Sequence, residues 1–270
     1  MTDGERWTRE QLEALRREGY APAAINRFLL ASRRRAADQR AARPALARQA
    51  HRWIALGALA WAVGAATGRG PFRRRLGAGM VWWALTGLML DWHLGMVETE
   101  DGRPRRLSAA DACTLGRAWL VPVAADTPSP PVCLLALATD GLDGALARAG
   151  RPTRLGRDLE GVVDAAFAAA VVRGALRNGW LGRSAAAAEC VRLAAGAAYT
   201  AAAYFGEARA PDPGVARAGR IATPVRAAGM VAAGLGRRRT GDALVWAAAL
   251  ASAGAAVRAA TQPTRRAPAA

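Results

Sequence analysis

Residues 140–164 read DGLDGALARAGRPTRLGRDLEGVVD and place acidic side chains within some of the most apolar sequence of the chain. Asp140 and Asp143 are three positions apart, so an α-helix puts both on one face, and the spacing of four between Glu160 and Asp164 does the same. Carboxylates in apolar surroundings are costly unless a cation compensates them. Oxygen ligands suit a hard divalent cation. The two pairs therefore predict a metal site in a membrane helix bundle.

The composition agrees with a membrane protein. Of the 270 residues 52% are hydrophobic, yet the formal charge is +17, and all 38 basic residues other than histidine are arginine. Arginine clusters at the ends of apolar runs suit anionic lipid headgroups. An abundance of arginine and alanine is also typical of a GC-rich genome, which is the simpler explanation. Nucleic-acid binding is disfavoured, because the arginines flank hydrophobic stretches and do not form a face with interleaved aromatic side chains.

The apolar runs predict an all-α fold, a polytopic membrane bundle with six core transmembrane helices and an N-terminal helical extension. The six core segments cover residues 108–122, 132–139, 159–180, 184–205, 224–235 and 242–260. The predicted division of the chain is a soluble or amphipathic helical segment (1–50), extra hydrophobic helices with a polar linker (51–107), the core domain (108–262) and a disordered tail (263–270).

The N-terminal extension leaves two alternatives open. Its first 50 residues predict helices that either lie on the membrane surface or dock on the rest of the protein, with a capping box at Thr8 and Gln11. Residues 53–67 are short for a span, which needs about 20 residues. Residues 77–97 are long enough, and Trp82, Trp83 and Trp92 are predicted there as interfacial anchors.

The acidic stretch resembles the signature of a known family, the CDP-alcohol phosphatidyltransferases, whose pattern is D-x-x-D-G-x-x-A-R followed by G-x-x-x-D-x-x-x-D. The matching residues are Asp140, Asp143, Gly144, Ala147, Arg148, Gly156, Glu160 and Asp164. Glu160 stands where the family has Asp, and the segment between Arg148 and Gly156 is one residue shorter than usual.

A second resemblance lies upstream, where residues 108–122 are similar to the first core helix of the same family. Thr114, Arg117 and Pro122 match its pattern, and Arg220 matches a basic position at the start of the fifth core helix. Asp111 replaces the usual Asn. All matched residues follow residue 107, so the N-terminal extension is expected to lie outside the chemistry.

The resemblance implies transfer of a phosphatidyl group, or a related phosphoalcohol, from a CDP-linked donor such as CDP-diacylglycerol to a small alcohol, with release of CMP, in phospholipid biosynthesis. The implied ligands of Mg²⁺ or Mn²⁺ are Asp140, Asp143, Glu160 and Asp164. Asp164 is also the implied catalytic base. The implied donor contacts are Asp140, Gly144, Ala147, Arg148 and Thr114. Arg117 and Arg220 are candidates for the phosphate of the acceptor, with contact to lipid headgroups as the alternative.

The resemblance further implies an integral protein of the bacterial inner membrane, surrounded by lipid and with the active site facing the cytoplasm. A homodimer is left open, and so is the identity of the acceptor alcohol. The alternative function is a family-fold membrane protein that has lost catalysis and serves as a lipid-binding or scaffold component. Glu160 and the shortened segment favour that alternative.

Overall fold

The computed structural model describes residues 2–68, 70–99, 101–150, 153–207 and 212–261; the side chains of residues 140, 143–150, 157 and 213 lie outside this description. Every regular element in the described residues is helical, so the all-α prediction is confirmed. The chain divides into two compact units, Met1–Asn178 and Gly179–Ala270.

The first unit contains α1 (Asp3–Arg17), α2 (Pro22–Ala42), α3 (Pro44–Ala66), α4 (Gly70–Arg74), α5 (Leu76–Trp92), a 3₁₀ turn (Leu94–Met96), α6 (Ala109–Asp126), α7 (Pro130–Gly150) and α8 (Arg154–Arg177). The second contains α9 (Arg183–Ala201), a π-helical turn (Ala202–Gly206), α10 (Pro213–Gly234) and α11 (Arg238–Thr261).

The first helix begins earlier than the sequence indicated. Thr2 caps α1, because its Oγ1 accepts from the Glu5 amide at 3.4 Å while the Glu5 carboxylate accepts from the Thr2 amide at 2.8 Å. The predicted capping box at Thr8 and Gln11 is therefore wrong. Thr-x-x-Glu and Thr-x-x-Gln have the same spacing, and the earlier pair lies at the helix end, where amides lack intrahelical partners.

The first two helices pack on each other through a small apolar cluster. Leu12 and Leu15 of α1 pack with Ala24 and Phe28 of α2. The pair also contacts the rest of the unit, since the Arg40 guanidinium of α2 donates to Asp91 of α5. This second contact favours docking on the rest of the protein, the second of the two alternatives for the first 50 residues.

An ion pair also connects α1 and α2. The Arg35 guanidinium donates to Asp3 at 2.7 Å, and this hydrogen bond, with the charge of Arg35, holds the pKa of the Asp3 carboxyl below its ordinary value.

Glycine and tryptophan set the distance between α3 and α5. Trp83 is 4% exposed and its indole N–H donates to the Ile54 carbonyl at 2.7 Å, so its predicted role as an interfacial anchor is wrong. A Cβ on Gly57 would lie 2.2 Å from the Trp83 ring, and one on Gly79 would lie 2.7 Å from Trp61. The rings fill the space that the glycines leave, which is why Trp83 packs inward.

One buried cluster joins α3 and α5 to α6 and α8. Leu90 and Leu94 belong to the same buried cluster as Leu115 of α6 and Leu159 of α8. Helices α6 and α8 also approach closely near their far ends, where a Cβ on Gly174 would lie 2.2 Å from the Ala124 carbonyl oxygen.

Small residues also pack α10 against α11 in the second unit. A Cβ on Gly241 would lie 2.6 Å from the Cβ of Ala233 and 2.8 Å from the Gly229 carbonyl oxygen. Within the described residues one helix, α11, is long and apolar enough to cross a membrane, with a mean hydropathy of 1.5 in its most apolar part, and Pro130–Thr139 is a shorter apolar stretch. The six spans therefore stay a prediction.

Candidate functional site

Helix α8 carries the second half of the sequence motif. Thr153 caps the helix, since its Oγ1 accepts from the Gly156 amide at 3.0 Å. Gly156, Glu160 and Asp164 follow at intervals of four residues, so they lie along one face of α8. Glu160 is half-buried, and the side chain of Asp164 is 42% exposed.

Helix α6 brings the upstream motif to this face. The Nε atom of Arg117 lies 3.2 Å from the Oδ1 atom of Asp164, and the Arg117 side chain is 2% exposed. Thr114, one turn earlier, is buried, and its hydroxyl donates to the Ala110 carbonyl at 3.3 Å. Arg117 therefore approaches Asp164 from the protein interior, while the carboxylate remains accessible from outside.

This pairing gives Arg117 a partner that the sequence did not indicate. A guanidinium beside a carboxylate restrains its orientation. The Asp164 carboxylate is thus positioned by α6, and its oxygens are donors of the kind that a hard cation binds. The predicted contact of Arg117 with an acceptor phosphate stays a prediction.

A buried aspartate connects the starts of α6 and α8 through hydrogen bonds. Asp111 is 2% exposed and accepts from the Ser108 amide and hydroxyl, both at 2.7 Å, and from the Thr153 hydroxyl at 3.4 Å. A Cβ on Gly156 would lie 3.3 Å from the Asp111 carboxylate. Sequence reasoning noted Asp111 only as a departure from the family and missed Thr153, although Ser108 and Asp111 have the spacing of a capping box.

The first half of the motif lies on α7. The helix runs through Asp140, Asp143, Gly144, Ala147 and Arg148, so the backbone positions of the two aspartates share one face. The side chains at Asp140, Asp143, Ala147 and Arg148 lie outside the described residues, and their predicted contacts stay predictions.

Two described carboxylates fit a hard cation by their chemistry. Glu160 and Asp164 offer oxygen donors on one face of α8, which suit Mg²⁺ or Mn²⁺. Among the described residues no three potential ligands cluster closely enough to hold a metal ion. The predicted set of four needs Asp140 and Asp143, whose side chains are not among those described. Arg220 lies on α10 in the second unit and is exposed.

Comparison with protein-family models, with curated proteins and with solved structures found no match to this chain.

Proposed function

We propose that this chain is a membrane phosphatidyltransferase that moves a phosphatidyl, or related phosphoalcohol, group from a CDP-linked donor to an alcohol and releases CMP. The observation that carries the proposal is the pairing of Arg117 with Asp164. These residues belong to two separate parts of the sequence resemblance, and a chance match of either part predicts no contact between them.

Exposed apolar side chains support the membrane part of the proposal. In the first unit they form a stripe on each of α3 and α5. The side chains are Leu56, Leu59, Val63, Val81, Leu85 and Leu88, and they are between 47% and 63% exposed. In the second unit Val191, Ile221, Leu235 and Leu250 are between 62% and 67% exposed. Extended apolar surfaces of this kind mark contact with lipid or protein. Lipid around the six proposed core helices, with the motif at the cytoplasmic side of the inner membrane, explains the exposed side chains of the second unit. Lipid around the extra hydrophobic helices (51–107) explains the stripes on α3 and α5.

The residues of the site have distinct roles in the proposed reaction. Asp140, Asp143, Glu160 and Asp164 would hold Mg²⁺ or Mn²⁺, which when bound would neutralise charge on the donor pyrophosphate. Asp164, oriented by Arg117, accepts the proton of the attacking hydroxyl.

Basic and small side chains of the site bind the substrates. Arg148 pairs with donor phosphate in a fork geometry, and Gly144 lets the backbone approach the nucleotide. A contact of Arg220 with the phosphate of the acceptor is proposed from the sequence resemblance alone.

The test is a CMP-release assay on the membrane-reconstituted protein, with CDP-diacylglycerol and a panel of alcohols. We expect release that depends on one acceptor and on Mg²⁺ or Mn²⁺, and that disappears with EDTA or in Asp140→Asn and Asp143→Asn. Specific binding of lipid without CMP release from any acceptor would instead favour the lipid-binding or scaffold alternative.

The substitution Glu160→Asp distinguishes an active site that has adapted to glutamate from a site that has lost catalysis. The change retracts the carboxylate by one methylene, about 1.5 Å. If Glu160 is a metal ligand in a site adapted to its longer side chain, we expect turnover to fall roughly tenfold or more, because displacement on this scale disrupts catalytic geometry.

The matched control for Glu160→Asp is Asp158→Glu, an equal change in length at an exposed position of the same helix, which we expect to retain turnover. Unchanged turnover in Glu160→Asp of an active enzyme would remove Glu160 from the ligands. Higher turnover would mean that glutamate is an imperfect replacement for the aspartate of the family.

A further inference from the structure

Arg154, the first residue of α8, connects this helix to the N-terminus of the chain. Its Nη1 donates to the Thr2 hydroxyl at 2.8 Å and lies 3.7 Å from the Glu98 Oε1, and the guanidinium also forms an ion pair with Glu5. The Arg154 amide donates to the Glu98 carbonyl at 3.1 Å. Arg154 thus joins α1, Glu98 in the segment after the 3₁₀ turn, and α8.

The ion pair between Arg154 and Glu98 is buried, so loss of one partner is more costly than it would be at the surface. The Arg154 and Glu98 side chains are each 8% exposed, whereas Glu5 is 40% exposed. Exposed ion pairs contribute little, but removal of one partner of a buried pair leaves an uncompensated charge and is strongly destabilising. The first turn of α8 therefore has tertiary partners that an ordinary helix end, which frays, does not have.

The first turn of α8, which Arg154 connects to α1, leads directly into the helix face that carries Glu160 and Asp164. Thr153 caps α8 and is bonded to Asp111, and Gly156 and Glu160 follow within the next two turns. A shift or fraying of the first turn moves these positions, and catalytic geometry is sensitive to displacements of about 1 Å.

We propose that Arg154 is a positioning residue, and that α1, through Thr2 and Glu5, fixes the start of α8 and thereby the placement of Glu160 and Asp164. The effect of Arg154 on the reaction rests on the proposed function, but the contact between Arg154 and α1 is independent of that function. The sequence alone indicated that the N-terminal extension lies outside the chemistry. The proposal gives the extension an indirect role. Helix α1 touches no reacting group in this proposal and acts only through Arg154.

Hydrogen exchange of the full-length protein in lipid nanodiscs tests the contact directly. In Glu5→Gln we expect the amides of residues 155–159 to exchange roughly tenfold faster, because the first turn opens more often. Arg154→Gln should exchange faster still, since it loses the ion pairs with both Glu5 and Glu98. Arg154→Lys keeps the charge but lacks the fork geometry, and should fall between the wild type and Arg154→Gln.

The matched control is Glu13→Gln, the same change on the same helix. Glu13 pairs with Arg9 at 3.7 Å, and both side chains are more than half exposed. We expect no change in exchange at residues 155–159 in this variant. Unchanged exchange in both Glu5→Gln and Arg154→Gln would overturn the contact.

The same variants test the positioning role through CMP release. We expect Glu5→Gln to lower kcat several-fold with little change in the KM for the CDP-linked donor, and Arg154→Lys to recover part of the loss seen in Arg154→Gln. Faster exchange with unchanged kcat would overturn the positioning role. A wild type that releases no CMP would remove the proposed function, and the exchange result would still decide whether α1 holds α8.

Discussion

Replacing Asp164 by asparagine is expected to lower the rate of CMP release by between about 10²-fold and 10⁴-fold, the contribution of a positioned general base. Asparagine keeps the shape of the side chain but accepts no proton at neutral pH. The variant is assayed with the acceptor and metal that support the wild type. An active enzyme that tolerates Asp164→Asn would defeat the proposed mechanism.

Loss of the Asp164 charge also affects Arg117, so folding needs its own control. Arg117 is 2% exposed and would be left without this counter-charge, which is destabilising for a buried group. The double variant Arg117→Gln/Asp164→Asn removes both charges. We expect it to regain thermal stability relative to Asp164→Asn and to remain inactive. Asp158→Asn, at an exposed position of the same helix, should retain activity.

Alanine at Gly174 is expected to destabilise the first unit. A Cβ at this position would lie 2.2 Å from the Ala124 carbonyl oxygen and 2.7 Å from the Pro128 ring. The backbone oxygen has no rotamer by which to move away, so α6 and α8 must separate. Overpacking of this kind costs about 1–3 kcal/mol, occasionally more, and chemical unfolding of the purified protein measures it.

Gly161→Ala is the matched control on the same helix. No atom lies within 4 Å of the position that its Cβ would occupy. Since alanine has the higher helix propensity, we expect unchanged stability or a gain of up to about 1 kcal/mol. Equal effects of the two substitutions would show that α6 and α8 do not approach each other closely at Gly174. Separation of α6 from α8 should also weaken the Arg117–Asp164 pair, so Gly174→Ala is expected to reduce CMP release.

Local spacing was sufficient to predict the helices and the face of α8. The apolar runs indicated an all-α chain, and intervals of four residues placed Gly156, Glu160 and Asp164 on one face. These properties depend on neighbours within one or two turns, which the sequence states directly. Start positions were less certain, as α1 shows, because two overlapping stretches met the same capping pattern and only one lay at a helix end.

Contacts between distant residues were decided by the tertiary structure alone. Arg117 pairs with Asp164 because α6 packs on α8, and Arg154 bonds to Thr2 because the starts of α8 and α1 meet. No period in the sequence records either contact. Trp83 was predicted at the membrane interface by its residue type, yet the space left by Gly57 draws it into the core. Residue type and local spacing thus determined the helices and the chemistry that they carry, and packing decided which of those groups act on one another, because a contact depends on shape and burial at both partners.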